Sequence, residues 1–177
     1  MLPVCDYTLR MSSTAALVLA FSAMHSAAEA EIVSMTDDAF TLSQSAASPL
    51  KPEALWARLI DPAQWWSDAH TYTGDAGNLS FSAEGGACWC EEWDGGSVAH
   101  GRVLTALPPN RLVIDAPFGP LQALPATAIW TVTIASEGQG SLVRFEQRAG
   151  GSTGLGELAG PVDAVMTEAI SRLVAGE

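Results

Sequence analysis

The chain has 177 residues, enough for one globular domain with a sizeable core and short for two. A hydrophobic fraction of 48% with 16% charged residues excludes general disorder. With 8 Lys+Arg against 20 Asp+Glu the net charge is −12, so the chain carries no basic footprint for nucleic acid or an anionic membrane surface. Three cysteines are too few for a disulfide scaffold.

Arg10 is the one basic residue before Lys51. It is followed by the apolar run Ala15–Phe21 and then by small residues ending in Ala28-Glu29-Ala30. A positive start, an apolar middle and a small-x-small end are the order of a secretory signal peptide, and the run is too short for a membrane span. The sequence therefore predicts a signal peptide over 1–30 and one mature domain over 31–177, periplasmic or secreted. The mature part keeps the cysteines Cys88 and Cys90 and the histidines His70 and His100.

Ala39–Ser45 alternates apolar and polar residues and reads as a first strand. Pro52–Ile60 reads as a short helix with Pro52 in its first turn, and Asp61-Pro62 starts a second one through Trp66. Trp65 and Trp66 are not expected to face the core together from so short a helix. Period-two patterning then marks strands at Leu79–Ala83, Ala87–Trp93, Ser97–Leu107, Arg111–Ala116, Ala126–Ala135 and Ser141–Ala149. Glycine- and proline-rich turns separate them, which implies an antiparallel meander. Leu155, Leu158, Val162, Val165, Met166, Ala169 and Leu173 recur at three- and four-residue steps, so a long amphipathic helix is predicted over about Pro161–Val174, with one looser turn before it. The fold class is α+β: a curved antiparallel sheet of six to seven strands wrapped around this helix, with two short helices after the first strand.

The stretch Ala54–Trp66 (ALWARLIDPAQWW) resembles the "vW..l.dp..WW" segment of Hsp90-activator-like and polyketide-cyclase-like proteins. Gly85–Glu91 (GGACWCE) resembles their "GG.f.E" strand, and His100–Val103 followed by Pro108 resembles their "G.V....P" strand and turn. The chain is thus similar, over about Ala39–Val174, to the START-like or SRPBCC superfamily. The resemblance implies a helix-grip fold with a cavity between sheet and C-terminal helix. This superfold hosts lipid binders, cyclases, co-chaperones and transport proteins, so the resemblance does not name a reaction. An exported chain with a cysteine pair also departs from cytosolic co-chaperone relatives.

Three functional readings follow. The first is a binder of a small apolar or amphipathic molecule, with Trp65, Trp66, Trp89, Glu91, Phe118, Trp130, Val162 and Met166 as binding candidates. Pro117–Leu121 and Gly150–Gly156 would flank the cavity mouth. The second is a cyclase- or dehydratase-like enzyme in the same cavity, with Glu91 or His100 as acid–base group. The third is a metal or redox protein. On a strand Cys88 and Cys90 share a face, and one hairpin register sets Cys90 opposite His100, with His70 nearby in sequence. A register shifted by one sets Glu91 opposite His100 instead. A Cys88–Cys90 disulfide would need a bulge in the strand. No phosphate-binding loop, dinucleotide fingerprint, nucleophile elbow or zinc-protease motif is present, and no cofactor is implied.

Intact-mass analysis of the exported protein is expected to give an N-terminus at Glu31; a chain that still begins at Met1 or Met11 would contradict the leader.

Overall fold

The computed structural model describes residues 28–175. Nearly all of the predicted leader therefore lies outside the described residues. The strand order is β1-β2-β8-β7-β6-β5-β4-β3 in one eight-stranded antiparallel sheet. In chain order the elements are β1 (Glu29–Thr36), β2 (Ala39–Ser48), α1 (Pro52–Leu59), β3 (Leu79–Phe81), β4 (Cys88–Trp93), β5 (Gly96–Leu107), β6 (Arg111–Asp115), β7 (Thr127–Glu137), β8 (Gly140–Gly150) and α2 (Leu155–Ala175). Short 3-10 turns at Pro62–Gln64, Asp68–His70, Ala76–Asn78 and Gly119–Ala123 fill the connections. A sheet against one long C-terminal helix is the helix-grip arrangement.

The strands follow from alternation: β2 and β8 bury every second residue, and the inward set is Phe40, Leu42, Gln44 and Ala46 on β2 with Val143, Phe145, Gln147 and Ala149 on β8. β1 is a strand beyond the sequence expectation. All of its residues are exposed, so it carries no period-two burial signal. It pairs along β2 as the sheet edge, from Glu29↔Ser45 to Thr36↔Ala39. Cleavage after Ala30 would remove the first two residues of this strand.

α2 is longer than predicted and starts at Leu155, with Pro161 inside it. Proline lacks the N–H that would bond the Glu157 carbonyl, but the two flanking stretches carry one continuous buried stripe: Leu155, Ala159, Met166, Ala169, Ile170 and Leu173. Arg58 of α1 fastens the helix end. Its Nε donates to Leu173 O at 3.0 Å and its Nη2 to Arg172 O at 3.3 Å, satisfying carbonyls that a helix terminus leaves without partners. In return Arg172 Nε donates to Trp65 O at 2.9 Å. No helix among the described residues is long and apolar enough to cross a membrane.

The second predicted helix is only the 3-10 turn Pro62–Gln64. The chain kinks at Trp65, and this overturns the expectation that one of the paired tryptophans faces away. Both are buried, with ring centroids 5.5 Å apart in an edge-to-face contact.

The β4–β5 register differs from both expectations near the turn, and returns beyond it to the first expected one, with Trp89 opposite Gly101 and Cys88 opposite Arg102. Asp94-Gly95 forms a two-residue turn, with Gly95 at φ 90, so Trp93 pairs with Gly96 and Cys90 with Ala99. A bulge then inserts His100, and Trp89 pairs with Gly101. Gly101 has no room for a side chain: a Cβ there would lie 2.8 Å from Asp115 O and 2.9 Å from Ile114 Cγ2. Gly101→Ala is therefore expected to cost about 1–3 kcal/mol in urea unfolding. Gly150→Ala, whose Cβ would meet nothing nearer than 3.7 Å, should be close to neutral; equal losses for the two would contradict the close approach.

Candidate functional site

The inward face of the β3–β6 half of the sheet is covered by aromatic rings. Trp89 on β4 sits at their centre, with the rings of Trp65, Trp66, Phe81, Phe118 and Trp130 at 5.1–5.9 Å. Trp65 Nε1 donates to Leu59 O at 3.3 Å and Trp66 Nε1 to His70 O at 3.1 Å, so both indole N–H groups have partners.

Where this cluster meets α2, a cavity of about 270 Å³ opens. α2 supplies Leu158, Pro161, Val162, Val165 and Met166 to its wall. The connection after α1 supplies Trp66, His70, Thr71 and Tyr72, and the segment after β6 supplies Phe118, Gly119 and Pro120. The wall is mostly apolar with a few polar groups at its rim, the usual make-up of a small-molecule site, and the volume is near the low end of the roughly 300–1,000 Å³ such sites span. His70, one of the wall residues, has its Nε2 3.4 Å from Oε2 of Glu168 on α2.

Four predicted binding residues, Trp66, Phe118, Val162 and Met166, line this cavity together. Trp65, Trp89 and Trp130 do not reach it and form the layer behind it. Sequence reasoning missed His70, Thr71 and Tyr72 as wall residues, because nothing in their spacing reveals that the connection folds back over the helix.

Glu91 is fully buried behind that connection. Its carboxylate accepts from Tyr72 N at 3.0 Å, Thr73 N at 2.7 Å and His100 Nε2 at 2.9 Å. The bulge delivers His100 to this position, and the Tyr72 ring packs at 5.8 Å from the imidazole. Burial raises the Glu91 carboxyl, but the hydrogen bonds of Thr73, Tyr72 and His100 outweigh it and hold the group below the ordinary value of 4.5. Glu91 and His100 thus clamp the segment that carries Thr71 and Tyr72 to the cavity, and neither lines the cavity itself.

Cys88 and Cys90 form a disulfide on the opposite face of β4, with their Cα atoms 5.4 Å apart beside the bulge. Joined to each other, the sulfurs offer no thiolate to a metal. His100 points to Glu91 and His70 to Glu168, so the structure does not bring the proposed metal ligands together.

The architecture recurs in solved structures. CalU16 from Micromonospora echinospora superposes with a TM-score of 0.59 at 17% identity, over 85% of this chain and 86% of that one. An uncharacterised protein from Rhizobium leguminosarum does so with a TM-score of 0.59 at 14% identity, over 84% and 96%. DynU16, from the dynemicin biosynthetic locus, gives 0.55 at 18% identity over 79% of this chain and 47% of its own. At these identities the likeness is one of fold. No protein-family model and no curated protein matches the chain.

A carboxyl held below its unfolded value adds stability that is complete above about pH 4.5 and fades as the pH falls below it. Glu91→Gln should therefore lower stability at pH 7 by about 1.5–3 kcal/mol, the cost of losing hydrogen bonds to a charged acceptor. It should also flatten the acid limb of the stability profile; melting curves from pH 3 to 7 identical to the parent would contradict the clamp.

Proposed function

We propose that the protein is an exported binding protein for a small apolar or amphipathic molecule, held between α2, the 66–72 connection and the 118–120 segment. One observation carries this reading: the seam between helix and aromatic cluster is a cavity walled by apolar side chains. The size suits a molecule of one or two rings. The export part rests on the order of the leader. The START-like/SRPBCC resemblance, in its polyketide-cyclase-like branch, agrees with the site, and the origin of DynU16 in a biosynthetic locus supports a fold that handles small organic molecules.

A cyclase- or dehydratase-like activity is the second reading, and the ring of Tyr72 is what favours it, since Tyr72 touches the cavity on one side and His100 on the other. It has weaker support, because the Glu91 carboxylate already holds three donors.

N-phenyl-1-naphthylamine, a neutral apolar fluorophore, is expected to brighten on binding. Val165→Trp, which fills the cavity from α2, should weaken that binding by at least about tenfold, the loss of roughly 1.4 kcal/mol of apolar contact. Leu104→Trp, at a half-exposed position remote from the cavity wall, should leave it unchanged. Equal affinities in the two variants, both folded by thermal melting, would remove the cavity as the site.

A further inference from the structure

The inward face of the sheet holds polar side chains where an apolar core is expected. Trp130, Gln147 and Leu42 stand side by side across β7, β8 and β2, and Gln44 occupies the next rung beside Phe145. Trp130, Gln147 and Gln44 have no exposed surface. Gln44 Nε2 donates to Asp163 Oδ1 of α2 at 2.6 Å. Gln44 Oε1, both amide atoms of Gln147 and Trp130 Nε1 have no hydrogen-bonding partner among the described residues of the protein.

These four atoms fall where the core divides. Leu42 belongs to one apolar cluster and Trp130 to another, and Val162 packs against both. Val162 also lines the cavity, as does Phe118, whose ring lies 5.8 Å from that of Trp130. The polar atoms are thus one side-chain layer behind the cavity wall. Buried polar groups without partners are destabilising, and leucine at position 147 would fill the same space without that cost. Elsewhere in the same core Trp65 and Trp66 have their indole N–H groups satisfied.

We propose that the cavity extends past Phe118 into this polar pocket and that the pocket receives a hydroxyl group on the ligand. The inference rests on the binding function proposed above and names the chemistry of its ligand. Trp130 Nε1 and Gln147 Nε2 are donors; Gln147 Oε1 and Gln44 Oε1 are acceptors. A hydroxyl both accepts and donates, so it matches this mixed set, whereas a hydrocarbon end would leave all of it unmatched. The Asp163 carboxylate beside Gln44 disfavours an anionic end. The ligand is therefore an apolar molecule whose buried end carries an alcohol or phenol. Phe118 precedes Gly119, which sits at φ 54, and its ring is the group that yields as the ligand enters.

The test uses two probes of equal size, 2-naphthol and 2-methylnaphthalene, titrated by calorimetry into the disulfide-intact protein and into Gln147→Leu. The parent is expected to bind the naphthol at least about tenfold more tightly, one well-made hydrogen bond in a dry site. Gln147→Leu should abolish that preference, keep its affinity for methylnaphthalene within about threefold of the parent's, and melt at a higher temperature because it removes unmatched polar atoms. If the parent binds both probes equally or prefers the hydrocarbon, the polar pocket is refuted while the cavity reading stands. If Gln147→Leu melts lower and keeps the preference, Gln147 is structural and the inference falls. If neither probe binds the parent, the cavity reading fails and takes this inference with it.

Discussion

A wide antiparallel sheet with one apolar face must be covered, and among the described residues a single long helix is there to cover it. α2 lies over β1, β2 and β8, and α1 packs against β7, β8 and α2. Among the described residues the β3–β6 half has no helix of its own. Aromatic rings carried by the irregular connection after α1 and by the segment after β6 cover it instead. Rings of fixed shape and a helix of fixed curvature do not close completely against each other, and the gap at their seam is the cavity. The position of the site thus follows from how the sheet is covered, before any functional residue is considered.

The rim of that gap needs support because it is irregular backbone. The support comes from the opposite side of the wall. Glu91 gathers the N–H groups of Tyr72 and Thr73, and His100 completes its shell from the bulge in β5. A carboxylate so supplied stays ionised even though it is buried. The disulfide between Cys88 and Cys90 lies on the outer face of the same strand, next to the same bulge. One short stretch of β4 and β5 therefore links the outer surface, the buried clamp and the cavity wall.

The fold was legible in the sequence wherever burial alternates. β2, β6, β7 and β8 follow period two, β5 follows it only between its two irregularities, and the stripe from Leu158 to Leu173 follows the helical period. β1 was not legible, because an edge strand exposed on every residue has no pattern to read. The start of α2 was hidden by Pro161 and by the glycines before it. The β4–β5 register could not be read, since the bulge at His100 depends on the contact of Gly101 with β6. Of the site, Trp66, Phe118, Val162 and Met166 were found from residue type and helical face, and His70, Thr71 and Tyr72 of the irregular connection were not. Gln44 and Gln147 could have been found. They are in phase with Leu42 and with Val143 and Phe145, so the alternation itself places them on the buried face despite their polarity.

The most direct test of the central claim is a native mass spectrum of the protein, purified from its own cells without reductant and then exposed to an apolar extract of those cells. The account predicts an added mass of one small organic molecule per chain, released on unfolding. A bare polypeptide mass both as purified and after exposure would contradict it.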